Sequence, residues 1–509
     1  MSNYRVIIKN FASNGAGFVV EALIAFLMLP FIIHKVGDAT YGLWAIVLSL
    51  SGYMGILNLG LRPAINKYVA EYNARNEHQK IFELVKAGIF IYSFCAVLII
   101  ILSFTVAWNM EHLFTLPAGS IDDCKLIVVF TGVQMSLGLI AVVYGGVISG
   151  LQRYEINNGI EIFVMITRTI LILIALNYYP NIYALAVPHL IMTITGYLLT
   201  YMFARKLITF DRKTSLFQLP DKETLKVLVR FSSITFTINI VGSFVAYLDN
   251  LLVASIISTT FVTYYVIGSR LVSYTKKLLD SFVSVLSPAA SVFYATNEEF
   301  HLQSLFMYSI KMCKLISFPC LIFFIISGRD FLHFWIGHDS IDSYNVLIVL
   351  SIAAFFTLAQ KGAGPILYGI NKHKIVLYVS IIEGIFTVLL AYILGHKYKL
   401  IGVAIGLSAP ATVMGAIVYP FYLAKTIGLD RMTVFKVLYL ENSLLFIGFA
   451  SLLYAVNRLV APGNIFMILA QFALCLLIYI FYVWKYVLNE EQRGKLRLLL
   501  PQRIAKCLA

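Results

Sequence analysis

Apolar runs of span length recur along this chain from one end to the other, separated by short polar connections. About 18 or more apolar residues in a row is what an α-helix needs to cross the hydrocarbon of a bilayer. Strand alternation with the roughly ten-residue segments of an outer-membrane barrel is absent. The pattern predicts fourteen spans, at 10–34, 40–66, 83–109, 124–149, 157–177, 182–204, 227–251, 260–292, 303–327, 344–368, 375–394, 401–423, 437–457 and 464–486. No connection reaches the roughly 50 residues that an independent soluble domain requires. The predicted fold class is an all-α polytopic membrane protein.

The second span is unusual. The stretch from Gly37 to Arg75 is apolar from Tyr41 to Leu61, then places Arg62 and Pro63 where a bilayer helix should stay dry. It ends in the mixed-charge segment Lys67 to Arg75. A bare cation facing hydrocarbon costs at least a few kcal/mol, so Arg62 is expected to face protein, water or a headgroup. Pro63 is expected to kink the helix there.

Short motifs recur at one offset. SIDD at Ser120 to Asp123 returns as SIDS at Ser340 to Ser343, 220 residues on. GLQRY from Gly150 returns as GINKH from Gly369, 219 residues on. LRPA from Leu61 returns as LSPA from Leu286, 225 residues on. The order and offset predict a duplicated six-helix unit. An even number of spans per unit makes the repeat parallel, about an axis along the membrane normal. The expected domains are an N-terminal lobe at 1–204, a cytoplasmic linker at 205–226, a C-terminal lobe at 227–424, and an appended helix pair with a basic tail at 425–509. Two such lobes can rock around a shared site and open it to one side at a time.

Basic residues fix the expected orientation. With the N-terminus cytoplasmic, the inside connections carry 22 Lys and Arg and the outside ones 5. The positive-inside rule then puts both termini in the cytoplasm. This absorbs most of the net charge of +14, and no basic run with interleaved aromatics suggests nucleic acid. At 60% hydrophobic and 13% charged, the chain stands far from a soluble domain. The six cysteines show no metal or disulfide spacing and read as small apolar fillers. The N-terminus lacks a short apolar core followed by an A-x-A site, so the first span is expected to remain.

Twelve basic residues fall within the spans or at their ends. The deepest are Arg168, Arg270, Lys276, Lys277 and Lys361. Arg62, Arg230, Lys311 and Lys314 lie nearer the inside ends, and the last three are expected to snorkel to the headgroups. Glu161 and Arg168 share a helix face, as do Arg270 and Lys277, at a spacing of seven. Lys276 and Asp280 are four apart and within pairing reach. The embedded acids include Glu21, Glu161, Asp249, Asp280, Glu383 and Glu441, fewer than the cations. A surplus of cations in a low-dielectric setting predicts a cavity with a positive lining and an anionic ligand. Phosphate suits Arg and Lys.

GDATYGLW followed by LNLGLRPAINKYVAEY resembles the signature of Wzx-type O-antigen and oligosaccharide flippases, in the superfamily of multidrug and toxic compound extruders and lipid II flippases. The residues concerned are Gly37, Tyr41, Gly42, Leu59, Gly60 and Leu61, then Arg62 and Lys67. In the second half, YLDNLLVASIISTTFVTYYVIGSRL from Tyr247 is similar to the family's seventh and eighth helices, with Asp249 and Tyr264 or Tyr265 in place. The glycine usual in the intervening turn is missing, with Ser258 and Thr259 there instead. The resemblance implies a V-shaped bundle of two lobes around a central cationic cavity. It implies movement of an undecaprenyl-pyrophosphate-linked glycan, such as an O-antigen repeat unit of lipopolysaccharide, across the bacterial inner membrane, from the cytoplasmic to the periplasmic leaflet. A counter-flux of protons or sodium would drive it, and polysaccharide polymerase machinery is a possible partner.

On this reading Arg62, Arg168, Arg270, Lys277 and Lys361 are the candidates for holding the pyrophosphate. Glu161, Asp249 and Glu383 are the candidates for ion coupling, because a membrane carboxylate can exchange a proton near neutral pH. The alternative within the superfamily is a drug or metabolite extruder, which favours an acidic cavity. A membrane polymerase or ligase would need a large outside loop, and the longest here is about Ser327 to Asp342. No nucleophile constellation, metal-ligand cluster or phosphate-cradling loop is seen, so neither enzymatic activity nor a cofactor is expected. His189, beside Pro188, reads as a packing residue or a helix-break hydrogen bond.

Overall fold

In hydrocarbon every backbone N–H and C=O needs a partner within the protein, and a helix supplies it inside the segment itself. The computed structural model describes residues 2–54, 61–113, 121–207, 220–226, 228–229, 248–283, 286–337, 341–372, 374–488, 490 and 493, and these contain helices and no strand. In chain order the main helices are α1 (Ser2–Met54), α2 (Leu61–Ala74), α3 (His78–Trp108), α4 (Ile121–Gly150), α5 (Tyr154–Tyr178) and α6 (Tyr183–Leu207). They continue with α7 (Thr259–Val283), α8 (Leu286–Ala295), α9 (Glu299–Ile326), α10 (Gly328–Ile336), α11 (Ile341–Ala359) and α12 (Ala363–Gly369). The last are α13 (Lys374–Val413), α14 (Tyr419–Thr426), α15 (Arg431–Phe435), α16 (Ser443–Leu459) and α17 (Ile465–Tyr482). Single π-helical turns follow α13, α15 and α17, at Met414–Val418, Lys436–Leu440 and Val483–Val487.

Ten helical stretches among the described residues are long and apolar enough to cross a membrane. One of them, Lys374–Thr426, has 53 residues. At 1.5 Å per residue it is about 80 Å of helix, well over twice a hydrocarbon core. Non-helical backbone at Tyr398 and Lys399 divides it, where the sequence predicts a connection between two spans. Likewise α1 is two helices joined at Gly37, whose φ of 80° suits a residue without Cβ. The predicted span at 227–251, Arg230, Tyr247, Ser340 and most of the tail lie largely or wholly outside the described residues.

The described chain divides into two compact units. The first comprises Met1–Arg270 and His373–Ala411, the second Leu271–Lys372 and Thr412–Ala509. In the first, α3 and α6 pack on α4, α5 packs on α6 and α1, and α2 lies on α3 and α4. In the second, α9 packs on α11 and α16, α8 on α12, and α16 on α17.

The repeated motifs resolve into the same small construction, built once in each unit. A Cβ at Gly150 would lie 2.8 Å from the Asn66 carbonyl oxygen on α2. A Cβ at Gly369 would lie 2.5 Å from the Ser287 carbonyl oxygen on α8. The glycine that opens GLQRY and GINKH is therefore where the neighbouring helix backbone crosses. The turn after it recurs too. Gln152 (φ 58°) and Asn371 (φ 58°) are left-handed, and Arg153 N–H donates to Ile148 O as Lys372 N–H donates to Leu367 O. The helices they cross end alike, at Asn76 (φ 58°) and Asn297 (φ 55°). There Glu77 N–H donates to Tyr72 O and Glu298 N–H to Phe293 O. These are left-handed C-terminal caps, which Asn tolerates nearly as well as Gly.

Pro63 lies on α2 and Pro288 on α8, and the residues just before these helices, 55–60 and 284–285, where the expected kink at Pro63 would be judged, lie outside the described residues. Pro30, Pro188, Pro319 and Pro410 do lie inside helices.

Candidate functional site

The first unit contains a cavity of about 400 Å³. Its walls follow from helix periodicity. From α5, Asn157, Ile160, Glu161, Val164, Met165 and Arg168 line it, one stripe at spacings of three and four. The opposite face of α5 carries Phe163, Ile166, Ile170 and Ile174, all exposed, as suits contact with lipid tails. From α4 come Gly138, Ala141, Val142 and Gly145, whose small side chains leave the space open. From α6 come Thr193, Gly196, Tyr197 and Thr200, and α2 contributes Arg62. Arg62 reaches across to α4, where its Nη2 would lie 3.9 Å from a Cβ at Gly145.

Three of the sequence-predicted residues, Arg62, Glu161 and Arg168, thus meet at one cavity. Asn157 is fixed at its wall by donating to Gly145 O (3.0 Å) and Ser149 Oγ (2.9 Å). Arg168 Nη1 lies 3.2 Å from His189 Nδ1 on α6. Guanidinium has only donors, so the imidazole accepts. His189 is thereby more than a packing residue. No spacing rule connects it to Arg168, because the two stand on successive helices. The periodic stripe of Asn157, Glu161, Val164 and Arg168 was readable, and it would have flagged Asn157.

The other predicted residues lie elsewhere. In the first unit, Arg270 is hydrogen-bonded to the buried Tyr41 hydroxyl. Asp249 accepts from Tyr265 Oη (2.8 Å), a tyrosine with 2% of its surface exposed. Glu383 is half-buried on α13. The GDATYG motif is placed by the same neighbourhood. A Cβ at Gly42 would overlap the Thr259 carbonyl. Thr263 Oγ1 donates to Asp38 O (2.6 Å) and Tyr264 Oη to Asp38 Oδ2 (3.2 Å). In the second unit, Lys277 is exposed on α7. Lys361 Nζ pairs with Asp280 Oδ1 (2.7 Å) and donates to Lys276 O (3.1 Å). Asp280 thus takes a partner distant in sequence, beyond the Lys276 that helical spacing offered.

Two lysines of α9 also differ from expectation. Lys314 does not snorkel: it is 2% exposed, and its ammonium donates to Val437 O and Glu441 O, both at 2.7 Å. Phe318 and Phe446 flank the charge at 6.0 and 5.8 Å from their ring centroids. Lys311 Nζ donates to Val487 O (2.9 Å) and stands 4.0 Å from Glu441 Oε1. Each lysine reaches the end of a π-helical turn, where carbonyls lose their helical partners. Among the described residues no cluster of three or more His, Cys, Asp or Glu could hold a metal.

Residues 7–294 match the family described as polysaccharide biosynthesis protein. The chain is 24% identical over 411 residues to the "Putative O-antigen transporter" of Shigella flexneri, covering 79% of this chain and 94% of that one. In structure it is similar to the lipid II flippase MurJ in an inward closed conformation, with a TM-score of 0.67 at 16% identity over 93% of this chain and 99% of that one. It is also similar to an inward-facing multidrug resistance MATE family transporter, with a TM-score of 0.59 at 14% identity over 81% and 96%. A Vibrio cholerae MATE transporter, VcmN, gives 0.59 at 13% over 85% and 98%.

Proposed function

The chain belongs to the polysaccharide biosynthesis protein family, and on that premise we propose that it is a flippase for a lipid-linked oligosaccharide. The cargo in this reading is a polyprenyl-pyrophosphate-linked repeat unit of a surface glycan. It crosses from the cytoplasmic to the periplasmic leaflet of the inner membrane by alternating access, coupled to an ion. The moving parts are the two six-helix lobes, 1–204 and 227–424, with both termini cytoplasmic. The protein is a transporter and not an enzyme, as its relatives are.

The observation that carries this reading is the cavity where Arg62 and Arg168 meet amide and hydroxyl groups. Arginine holds phosphate oxygens through paired N–H donors, more strongly where water is scarce. Asn157, Tyr197, Thr193 and Thr200 offer the hydrogen bonds that sugar hydroxyls use. An organic-cation extruder would find two guanidinium groups repulsive. The carboxylate of Glu161 sits in the same wall and is the leading candidate for ion coupling. Asp249 and Glu383 stand as further candidates, and Arg270, Lys277 and Lys361 as further anion contacts.

Purified protein in vesicles loaded with a polyprenyl-pyrophosphate oligosaccharide provides the test. Glycan reaching the opposite leaflet, read by lectin accessibility, is the expected result. Arg62→Gln with Arg168→Gln should slow it by tenfold or more, on the order of losing one charge-assisted contact per residue. Flipping at the full rate in the double variant would refute the anion site. Resistance to cationic drugs without any glycan movement would favour the extruder.

A further inference from the structure

We infer that His189 is a positioning residue for Arg168, and that its protonation releases the guanidinium to an anionic ligand in the cavity. The inference rests on the proposal that Arg168 binds the anion and adds the group that controls it.

The geometry is specific. Arg168 Nη1 and His189 Nδ1 are 3.2 Å apart. Every polar hydrogen of guanidinium is donated and none accepted, so the contact exists only while Nδ1 carries a lone pair. The imidazole is then neutral, with its proton on Nε2. It is held in place by two features of its surroundings. Trp44 on α1 meets it edge to face, with ring centroids 5.5 Å apart at 78°. Its own carbonyl accepts from Thr193 Oγ1 (2.7 Å), one turn on, and Thr193 lines the cavity.

Among the described residues, Arg168 on α5 acts on the imidazole electrostatically. From α1 the contact is the uncharged Trp44 ring. From α4, Asp123 is engaged by Tyr183 Oη on α6 (2.6 Å). Arg62 and Glu161 share the cavity wall with Arg168.

A proton on Nδ1 replaces an acceptor by a donor and sets two cations face to face. The contact breaks, and Arg168 turns to the anion in the cavity. Conversely, an anion that draws Arg168 away and offsets its charge leaves Nδ1 open to a proton. The two events favour each other by the same factor, as linkage requires. The balance is one proton taken up at Nδ1 per anion bound, with no bond broken other than the hydrogen bond.

Sulfate is the probe, because it is tetrahedral, doubly charged and does not titrate between pH 5.5 and 8. Its affinity for the full-length protein in detergent would be measured across that range. Affinity should rise as pH falls, by up to about tenfold per unit for one linked proton. His189→Gln, which keeps an acceptor but does not titrate, should give a flat profile. An unchanged profile in His189→Gln would overturn the inference while leaving the anion site standing. Arg168→Gln separates the two ideas. If it binds sulfate as wild type does, the anion-site reading itself fails.

A second measurement leaves position 189 untouched. A protein with Trp44 as its one tryptophan (Trp108, Trp335 and Trp484 replaced by Phe) reports on the adjacent imidazole, since imidazolium quenches indole. Its emission should titrate, and saturating sulfate should move the midpoint to higher pH. A midpoint that ignores sulfate would refute the coupling.

Discussion

The two compact units place embedded cations in opposite surroundings. In the first, Arg62 and Arg168 border a cavity of about 400 Å³, with Arg168 against a histidine. In the second, Lys311 and Lys314 are inserted into backbone, capping carbonyls of helix ends, and Lys361 is held by Asp280. Both sets look alike in a sequence, as basic residues within apolar runs. The difference is the residue type and its partner. Arginine, with its planar fork, faces a ligand-sized space. Lysine, a compact charge on a flexible stem, fits the gap where a π-helical turn leaves carbonyls unpaired. A count of embedded cations therefore overstates the charge available to a ligand.

The strongest way to break this contrast is Lys314→Met. It keeps the volume and leaves Val437 and Glu441 carbonyls without their donor, so thermal unfolding should show a loss of about 2–5 kcal/mol. Unchanged stability would mean that the helix break holds itself. Next are Gly150→Ala and Gly369→Ala, which push a methyl group into a crossing backbone. Each should cost roughly 1–3 kcal/mol, and the two losses should be similar, because the construction is the same. A large difference between them would show that the repeated motif serves different ends. Lys311→Met, with one carbonyl to lose, should cost about 1 kcal/mol. Arg62→Gln should change stability by less than roughly 0.5 kcal/mol while lowering transport, the reverse of the lysines.

The smallest effect concerns Asp430, the exposed N-cap of α15. Its side chain accepts from Thr433 N–H (2.9 Å), which holds the carboxyl below its ordinary range. A lowered value in the folded state stabilises above the unfolded carboxylate value, near 4, and the benefit is lost as pH falls through the folded one. Asp430→Asn should remove that small pH dependence from unfolding curves between about pH 5 and 2.

The helical, membrane-spanning class was legible because hydrophobicity dictates it, and the helix breaks at Gly37 and at residues 398–399 coincide with polar connections. The motifs from Gly150 and Gly369 were legible as a pair because their glycines, and the left-handed Gln152 and Asn371 that follow, answer to local backbone demands. The stripe of Glu161 and Arg168 was legible as a helical period. What escaped were contacts between different helices: Arg168 with His189, Lys361 with Asp280, and Lys314 with a carbonyl 123 residues on.

The lysine caps also impose an order on how the protein is made. Chains emerge N-terminus first at about 5–20 residues per second. Val437 follows Lys314 by 123 residues, so α9 enters the bilayer roughly 6–25 s before the carbonyls that will hold its ammonium exist. Until then Lys314 must reach for the headgroups, as its sequence suggests it would. Burial of that charge is consequently a late event in biogenesis, and a nascent chain stopped short of α15 carries two unsheathed ammonium groups that membrane quality control could recognise.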